Sequence, residues 1–227
     1  MLMLDRITGL LAPHTCIGCG AEGDVCCCDC LQRVSPAVRC CYRCQKLGPN
    51  FATCPDCRLQ SPLTAVYAAA AYDGLTKDLL WRLKFDRALA AAPLIARQLH
   101  YCLSPLPKNA LVVPVPTARS RVRRRGYDQA ELLAAQYARM VGVQYCPLLE
   151  RLGSGEQKGA NRQQRQEQLQ SAYRVRARKL PRSGLAGRII VLVDDVVTTG
   201  ATLEAAAAAL SQTGARAVHG LVFAQVW

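Results

Sequence analysis

Residues 191–203 read Val191-Leu192-Val193-Asp194-Asp195-Val196-Val197-Thr198-Thr199-Gly200-Ala201-Thr202-Leu203. The run RIIVLV ending at Val193 predicts a buried strand, and TLEAAAAALSQTG, ending at Gly214, predicts a helix. Between them lie two acids and a Thr-Thr-Gly turn. In α/β proteins, ligands collect at the C-terminal ends of parallel strands. There the hydroxyls of Thr198, Thr199 and Thr202 would wrap a phosphate monoester, together with the backbone N–H groups of Thr199, Gly200, Ala201 and Thr202. The helix dipole adds to that attraction, and Gly200 permits close backbone approach. Asp194 and Asp195 would accept hydrogen bonds from a vicinal diol. A phosphate cradle beside diol acceptors describes a ribose 5-phosphate. Three other readings compete. A Walker B strand lacks its partner, since the chain has no G-x-x-x-x-G-K-[ST]. Magnesium-binding acids of a phosphoacceptor domain would leave Thr-Thr-Gly-Ala-Thr unexplained. The third is an ordinary strand-turn-helix with a threonine cap.

Upstream, LTAVYAAAAY predicts a buried strand after the abrupt composition change at Thr64, with DCRLQSP ahead of it as a linker. GLTKDLLWRLKF carries Leu75, Leu79, Leu80 and Leu83 at helical spacing, and ALAAAPLIARQLHYCL predicts a second helix closed by Pro105 and Pro107. ALVVPVP predicts a strand that must end at its prolines. YDQAELLAAQYARMVG predicts an amphipathic helix ending near Gly142, and AVHGLVFAQVW a final strand. Residues 151–182 are polar, rich in Gln and Arg, and read as partly mobile. Strand, helix and strand at these lengths imply a parallel sheet with right-handed crossovers.

The N-terminal part has different chemistry. Eleven of the thirteen cysteines fall in residues 16–57, leaving Cys102 and Cys146 outside. They form four C-x-x-C pairs: Cys16/Cys19, Cys27/Cys30, Cys41/Cys44 and Cys54/Cys57. A two-residue gap aims both sulfurs of a pair at one ion, and two such knuckles complete a tetrahedral four-thiolate zinc site. A redox C-x-x-C is usually solitary, so four in tandem argue against that use. We expect two structural zinc ions, one held by the first two pairs and one by the last two, with an interleaved arrangement as the alternative. Cys26, Cys28 and Cys40 crowd the knuckles and leave their register open. A segment this short with few large apolar side chains needs the metal to fold. The expected division is a zinc-binding domain over residues 1–60 and an α/β domain over residues 61–227.

With 227 residues, 51% of hydrophobic types and 20% charged, the chain is neither disordered nor fibrous. It has no apolar run long enough to span a bilayer. Asp5 and Arg6 interrupt what would be a signal-peptide core, so a cytoplasmic location is expected. Twenty-nine Lys and Arg against sixteen Asp and Glu give a formal +13, which favours phosphate-bearing partners. Arg119, Arg121, Arg123, Arg124 and Arg125 place five guanidinium groups in seven residues. Guanidinium forks suit phosphate and pyrophosphate, and a solvated charge run is the bland alternative. A second run, Arg174, Arg176, Arg178, Lys179 and Arg182, suits a nucleic-acid backbone. His14, His100 and His219 lie far from these motifs and read as structural; Cys102 and Cys146 read as packed inside.

At residues 191–203 the chain resembles the type I phosphoribosyltransferases, whose 5-phosphoribosyl-1-diphosphate (PRPP) motif is a hydrophobic strand, two acids and a Thr/Ser-Gly phosphate loop. With the cysteine pairs, the whole chain resembles the ComF family (ComFC and GntX proteins), named for a role in competence and DNA utilisation. Supporting segments are LKFDRAL at 83–89, VPVPTARSRVRRRGYDQAELLA at 113–134, and the stretch from Gln157 through Arg165 to Ala172-Tyr173. The resemblance implies a type I phosphoribosyltransferase fold behind a cysteine-rich domain. It further implies that Asp194 and Asp195 hold ribose hydroxyls, that residues 198–202 hold the 5′-phosphate, and that the loop from Pro114 to Arg119 faces the pyrophosphate. If phosphoribosyl transfer occurs, ligand-bound magnesium with Arg124 or Arg125, and Lys84, would stabilise the departing pyrophosphate. This chain departs from the family's usual Arg-Gly-Phe-Asn-Gln at Tyr127 and Asp128, and from usual leucine and asparagine at Ala160 and Gln168. The polar segment from Arg151 to Arg165 would serve as a lid, yet it names no base. Two classes of function stand: a phosphoribosyltransferase acting on an unidentified base or nucleotide acceptor, or a PRPP-responsive module handling internalised single-stranded DNA with a DNA-uptake helicase. The second is the expectation.

Overall fold

The computed structural model describes residues 14–86, 89–152, 172–211 and 213–226. The expectations placed on Arg87, Ala88 and residues 153–171, including the lid, Gln157, Ala160, Arg165 and Gln168, lie outside the described residues.

Strands β1 (His14–Thr15) and β2 (Glu22–Gly23) pair antiparallel and open the cysteine-rich segment, which continues through helices α1 (Cys28–Gln32) and α2 (Pro55–Arg58). Then follow β3 (Ala65–Ala71), α3 (Gly74–Phe85), α4 (Ala91–Cys102), β4 (Leu111–Pro114), α5 (Arg119–Arg125), α6 (Gln129–Val141) and β5 (Gln144–Tyr145). The described chain ends with β6 (Leu149–Arg151), β7 (Tyr173–Val175), β8 (Ile189–Val197), α7 (Ala201–Ser211) and β9 (Ala217–Gln225). The main sheet has the order β3-β9-β8-β4-β5 and is parallel throughout, as the alternation of elements requires.

Strand β8 reads as a continuous apolar run because both of its faces are covered. Ile190 and Leu192 pack in one core with Leu203, Ala206 and Leu210 of α7, whereas Val191 and Val193 pack in the other with Leu83 of α3, Ile95 of α4 and Tyr137 of α6. Helix α6 has clear ends: the Asp128 side chain accepts from the amides of Ala130 and Glu131, and Gly142 closes it at φ 68. The sheet order reverses direction between β4 and β8: from β4 the chain runs outward to β5, from β8 to β9 on the opposite side. That crevice is the topological switch point where open α/β sheets take their ligands.

Four details differ from the sequence reading. Strand β8 extends past Val193 to Val197 and carries both acids within it, because β9 supplies partners opposite Asp194, Val196 and Val197. The arginine run forms the short helix α5, stopped by Gly126 at φ 88; only Ser120 and Val122 interrupt its charges, so no apolar period announced it. Part of the polar stretch before β8 is ordered, with β7 pairing antiparallel to β6. The linker is not a free tether: Pro55–Arg58 is helical, and Ser61 and Leu63 are buried. Ser61 sits against the Tyr42 hydroxyl, and Leu63 shares a core with Tyr42 and Phe51.

Among the described residues, the cysteine-rich segment has no core to itself. Cys16, Val25, Cys26, Cys30 and Leu31 join the core of Leu79, Leu80 and Leu83, while Tyr42 and Phe51 join that of Leu63 and Val66 on the other sheet face. Between these halves, the Ala71 amide donates to Ser35 O at 2.9 Å, and antiparallel bridges join Pro36 to Ala70 and Ala52 to Ala65. The segment thus wraps the outer edge of β3.

Candidate functional site

The cysteines resolve into two tetrads. In each, Cys16, Cys19, Cys27 and Cys30 or Cys41, Cys44, Cys54 and Cys57, the four sulfurs lie within 4.8 Å of one another. Pairs one and two, and pairs three and four, therefore associate as expected, and Cys27 and Cys41 are the members drawn in. The Cys27 amide donates to Cys16 Sγ at 3.3 Å and helps pull that thiol down to about 6. Burial works against the Cys41 thiolate, but the amides of Cys44, Cys54 and Arg43 outweigh it and bring Cys41 to about 6 as well. A thiolate-ready sulfur in each four-sulfur cage fits zinc by both donor type and geometry. Cys26 has the opposite character: burial pushes it up to about 12, so it stays a neutral thiol in the core. Cys28 is exposed, and buried Cys40 accepts from Gln225 Nε2 at 3.6 Å. Cys102 and Cys146 pack inside, the latter bonded to Lys179 O at 3.3 Å.

At the switch point, the C-terminal end of β8 meets the loop after β4. Lys84, in the last turn of α3, forms an ion pair with Asp195 at 2.7 Å, both side chains being about one-fifth exposed or less (20% and 16%). Asp194 Oδ1 accepts from the Asp195 amide at 2.8 Å. Burial and the neighbouring Asp195 carboxylate hold Asp194 well above the usual carboxylate range. Such an acid gains from hydroxyl donors or a cation brought close to it.

After Val197 the chain turns sharply, with Thr198 and Thr199 exposed and Gly200 buried at φ 80. Glu204 N already donates to Gly200 O, and Ala201 N reaches Thr199 Oγ1 at 3.4 Å. The first helical amides, those of Ala201, Thr202 and Leu203, have no acceptor within the helix, which is the general condition of a helix N-terminus.

The opposite wall explains the two departures around residue 127. Asp128 bonds within the protein. Its carboxylate accepts from the Thr117 amide at 2.8 Å and the Thr117 hydroxyl at 3.0 Å, as well as capping α6. It thereby staples the Pro114–Arg119 loop to that helix. The Tyr127 hydroxyl donates to Leu83 O, beside Lys84. Arg125 is half-buried, lies 5.2 Å from the centroid of the Phe85 ring, and donates to Gln129 Oε1 at 2.8 Å. Burial pulls its guanidinium down, with Asp195 opposing the shift. Arg125 Nε and Gln129 Nε2 are buried donors with no partner among the described residues. Arg124, by contrast, stands exposed on α5 with Arg119, Arg121 and Arg123.

Asp194, Asp195, Lys84, Arg125 and residues 198–202 are thus brought to one crevice, and Arg124 is not. Sequence reasoning missed the staple from Asp128 to Thr117, although an acid just ahead of QAELLAAQYARMV is an N-cap signal. It also missed Trp81 and Phe85, exposed on α3 with ring centroids 5.9 Å apart.

Comparison with known proteins agrees with this geometry. The phosphoribosyl transferase domain family matches residues 88–226. Competence protein F of Haemophilus influenzae is 28% identical over 160 residues, covering 66% of this chain and 65% of that protein. DNA utilization protein YhgH of Escherichia coli K12 is 30% identical over 174 residues, 73% of this chain and 71% of that protein. Competence protein ComFC of Streptococcus pneumoniae is 30% identical over 155 residues, 66% of this chain and 64% of that protein. The chain thus spans slightly under two thirds of the two competence proteins. Among the described residues, no helix is long and apolar enough to cross a membrane. The family match begins after Lys84, yet β3 and α3 complete the same sheet and crevice. With a five-stranded parallel sheet, an acid-acid strand end and two cysteine tetrads in place, the chain belongs to the phosphoribosyltransferase-domain proteins of the ComF competence and DNA-utilisation family.

Proposed function

We propose that this protein binds PRPP, or a closely related phosphorylated ribose, with magnesium in the crevice between β4 and β8, and uses that site in the handling of internalised single-stranded DNA. The observation that carries the reading is the pairing of Asp195 with Lys84 at the mouth of the Thr198–Thr202 turn. It sets an anion, a cation and helix N-terminal amides around one small volume. Residues 198–202 take the 5′-phosphate through backbone N–H groups and threonine hydroxyls, and Asp194 and Asp195 accept from the ribose hydroxyls. Lys84 and Arg125 face the pyrophosphate from the α3 side, and the stapled Pro114–Arg119 loop covers it from β4. Magnesium, when bound with the ligand, neutralises pyrophosphate charge. The proposed division of labour follows the proposed domains: residues 1–60 as the metal-held part and 61–227 as the phosphoribosyltransferase-like part. The relatives' names, competence protein and DNA utilization protein, support work on DNA; its proposed setting is the cytoplasm, beside a DNA-uptake helicase.

Asp195→Ala with Thr199→Ala removes a ribose acceptor and a phosphate donor together. Calorimetry with PRPP and magnesium should show affinity at least about 100-fold weaker, on the order of 2.7 kcal/mol. Unchanged affinity in that double variant would discard the site. Incubation with PRPP, magnesium and a panel of bases, followed as pyrophosphate release, then separates an enzyme from a binding module.

For DNA, α5 presents Arg119, Arg121, Arg123 and Arg124 to solvent, next to the exposed Trp81 and Phe85 rings. Cations that follow a backbone beside rings that stack bases suit a single strand. Charge reversal at Arg121, Arg123 and Arg124 should weaken oligothymidylate binding and flatten its dependence on salt, by about 0.7 in log-log slope for each phosphate that is no longer neutralised. An unaltered slope would remove α5 from the DNA interface.

A further inference from the structure

Tyr42 and Arg43 are the two residues enclosed by the third C-x-x-C pair, Cys41-Tyr42-Arg43-Cys44. Both reach across to the start of α7. The Tyr42 ring is 2% exposed and lies directly behind the phosphate turn: a Cβ placed on Gly200 would fall 2.4 Å from its Cδ2 and Cε2 atoms. Its hydroxyl donates to Glu204 Oε1 at 2.5 Å, with Ser61 Oγ also 2.5 Å away. Arg43 Nε pairs with the same Glu204 oxygen at 3.0 Å. The first turn of α7, whose amides must be aimed at a phosphate, is therefore gripped by the very two residues whose backbone a metal ion at Cys41, Cys44, Cys54 and Cys57 would fix. The other tetrad touches a different part of the fold. Gly18 and Cys30 lie against one another and near Leu75 of α3, on the face of the sheet away from α7.

We propose that the Tyr42–Arg43 turn is a clamp on the phosphate loop, with Tyr42 as a positioning residue, and that occupancy of the second cysteine tetrad sets the order of residues 198–204. The clamp's consequence for binding rests on the phosphate reading given above; the clamp itself rests on packing alone. A knuckle so placed makes the second tetrad more than a fold-holding device: it links metal loading to the readiness of the ligand site. Loss of metal leaves Tyr42 and Arg43 on an unrestrained turn, and the Gly200 turn then loses its back wall.

Amide hydrogen exchange read by mass spectrometry on the unliganded full chain tests this, with zinc counted by native mass spectrometry. Tyr42→Ala should keep two zinc ions per chain, one for each tetrad, yet raise exchange at residues 198–204 by about tenfold or more, leaving β4 and α6 unchanged. Tyr42→Phe, which keeps the ring, should show a smaller rise. Cys57→Ser should accelerate the same peptide, and Cys19→Ser in the first tetrad should not. Unchanged exchange in zinc-loaded Tyr42→Ala, or equal acceleration in Cys19→Ser, overturns the clamp. Should Cys57→Ser fail to fold, the Tyr42 variants decide alone. Calorimetry with ribose 5-phosphate and magnesium is run beside it. A wild-type chain that does not bind this probe defeats the ligand reading, while the exchange data still judge the clamp.

Discussion

Stripping the metal with a strong chelator is expected to unfold the cysteine-rich segment and release eight further thiols for reaction, those of Cys16, Cys19, Cys27, Cys30, Cys41, Cys44, Cys54 and Cys57. Structural zinc in small modules contributes roughly 10–16 kcal/mol at neutral pH, as much as the whole stability of an ordinary domain, about 5–15 kcal/mol. The segment has little to set against that loss. Its buried side chains are mainly cysteines with Val25, Leu31, Tyr42 and Phe51, and they belong to clusters shared with the α/β core. Thiol titration before and after chelation measures the effect. In the loaded protein exposed Cys28 should react first; afterwards the tetrad cysteines should follow, with a loss of melting cooperativity. Cysteines equally reactive in both states would show that the tetrads hold no ion of consequence. Acid should act in the same direction, since protons compete with the metal for Cys16 and Cys41, both held near 6 by backbone amides.

The second large effect is Gly200→Ala. At φ 80 a Cβ costs about 1–2 kcal/mol in backbone strain. At 2.4 Å from the Tyr42 ring, it also forces one of two packed elements to move, typically about 1–3 kcal/mol more. Denaturant melts should report the sum, and sugar-phosphate binding should be lost along with it. Adding Tyr42→Ala should recover part of the stability by removing the clash, with a coupling of about 0.5–3 kcal/mol in a double-mutant cycle. Additive effects would mean that the ring and the glycine do not meet in solution.

Much of this arrangement was legible in the sequence, and the reasons are local. A strand covered on both faces must be apolar throughout, so Ile190 to Val193 announced themselves, and the Thr-Thr-Gly turn marked where the strand gives way to helix α7. The knuckle spacing named the members of the two sulfur tetrads except for register, which the three adjacent cysteines at 26–28 made undecidable until their directions were known. Helix α5 escaped because its residues are nearly all charged and helical periodicity is read from apolar ones. Strands β6 and β7 escaped because each is three residues long and its partner lies beyond a long polar stretch. The grip of Tyr42 on Gly200 had no sequence signal at all. It depends on how the cysteine-rich segment folds back over β3, and that is a property of the whole chain.

The strip formed by residues 35, 36 and 52 along β3 has a bearing on solubility. An exposed outer strand of alanine, valine and tyrosine is a template on which other chains can add as strands, and proteins usually guard against it. Here the guard belongs to the segment that carries the two cysteine tetrads. If zinc holds that segment, a metal-starved or oxidised molecule should bare Ala65–Ala71, so that the same accident which disables it also makes it sticky, and overexpression without adequate zinc should yield inclusion bodies.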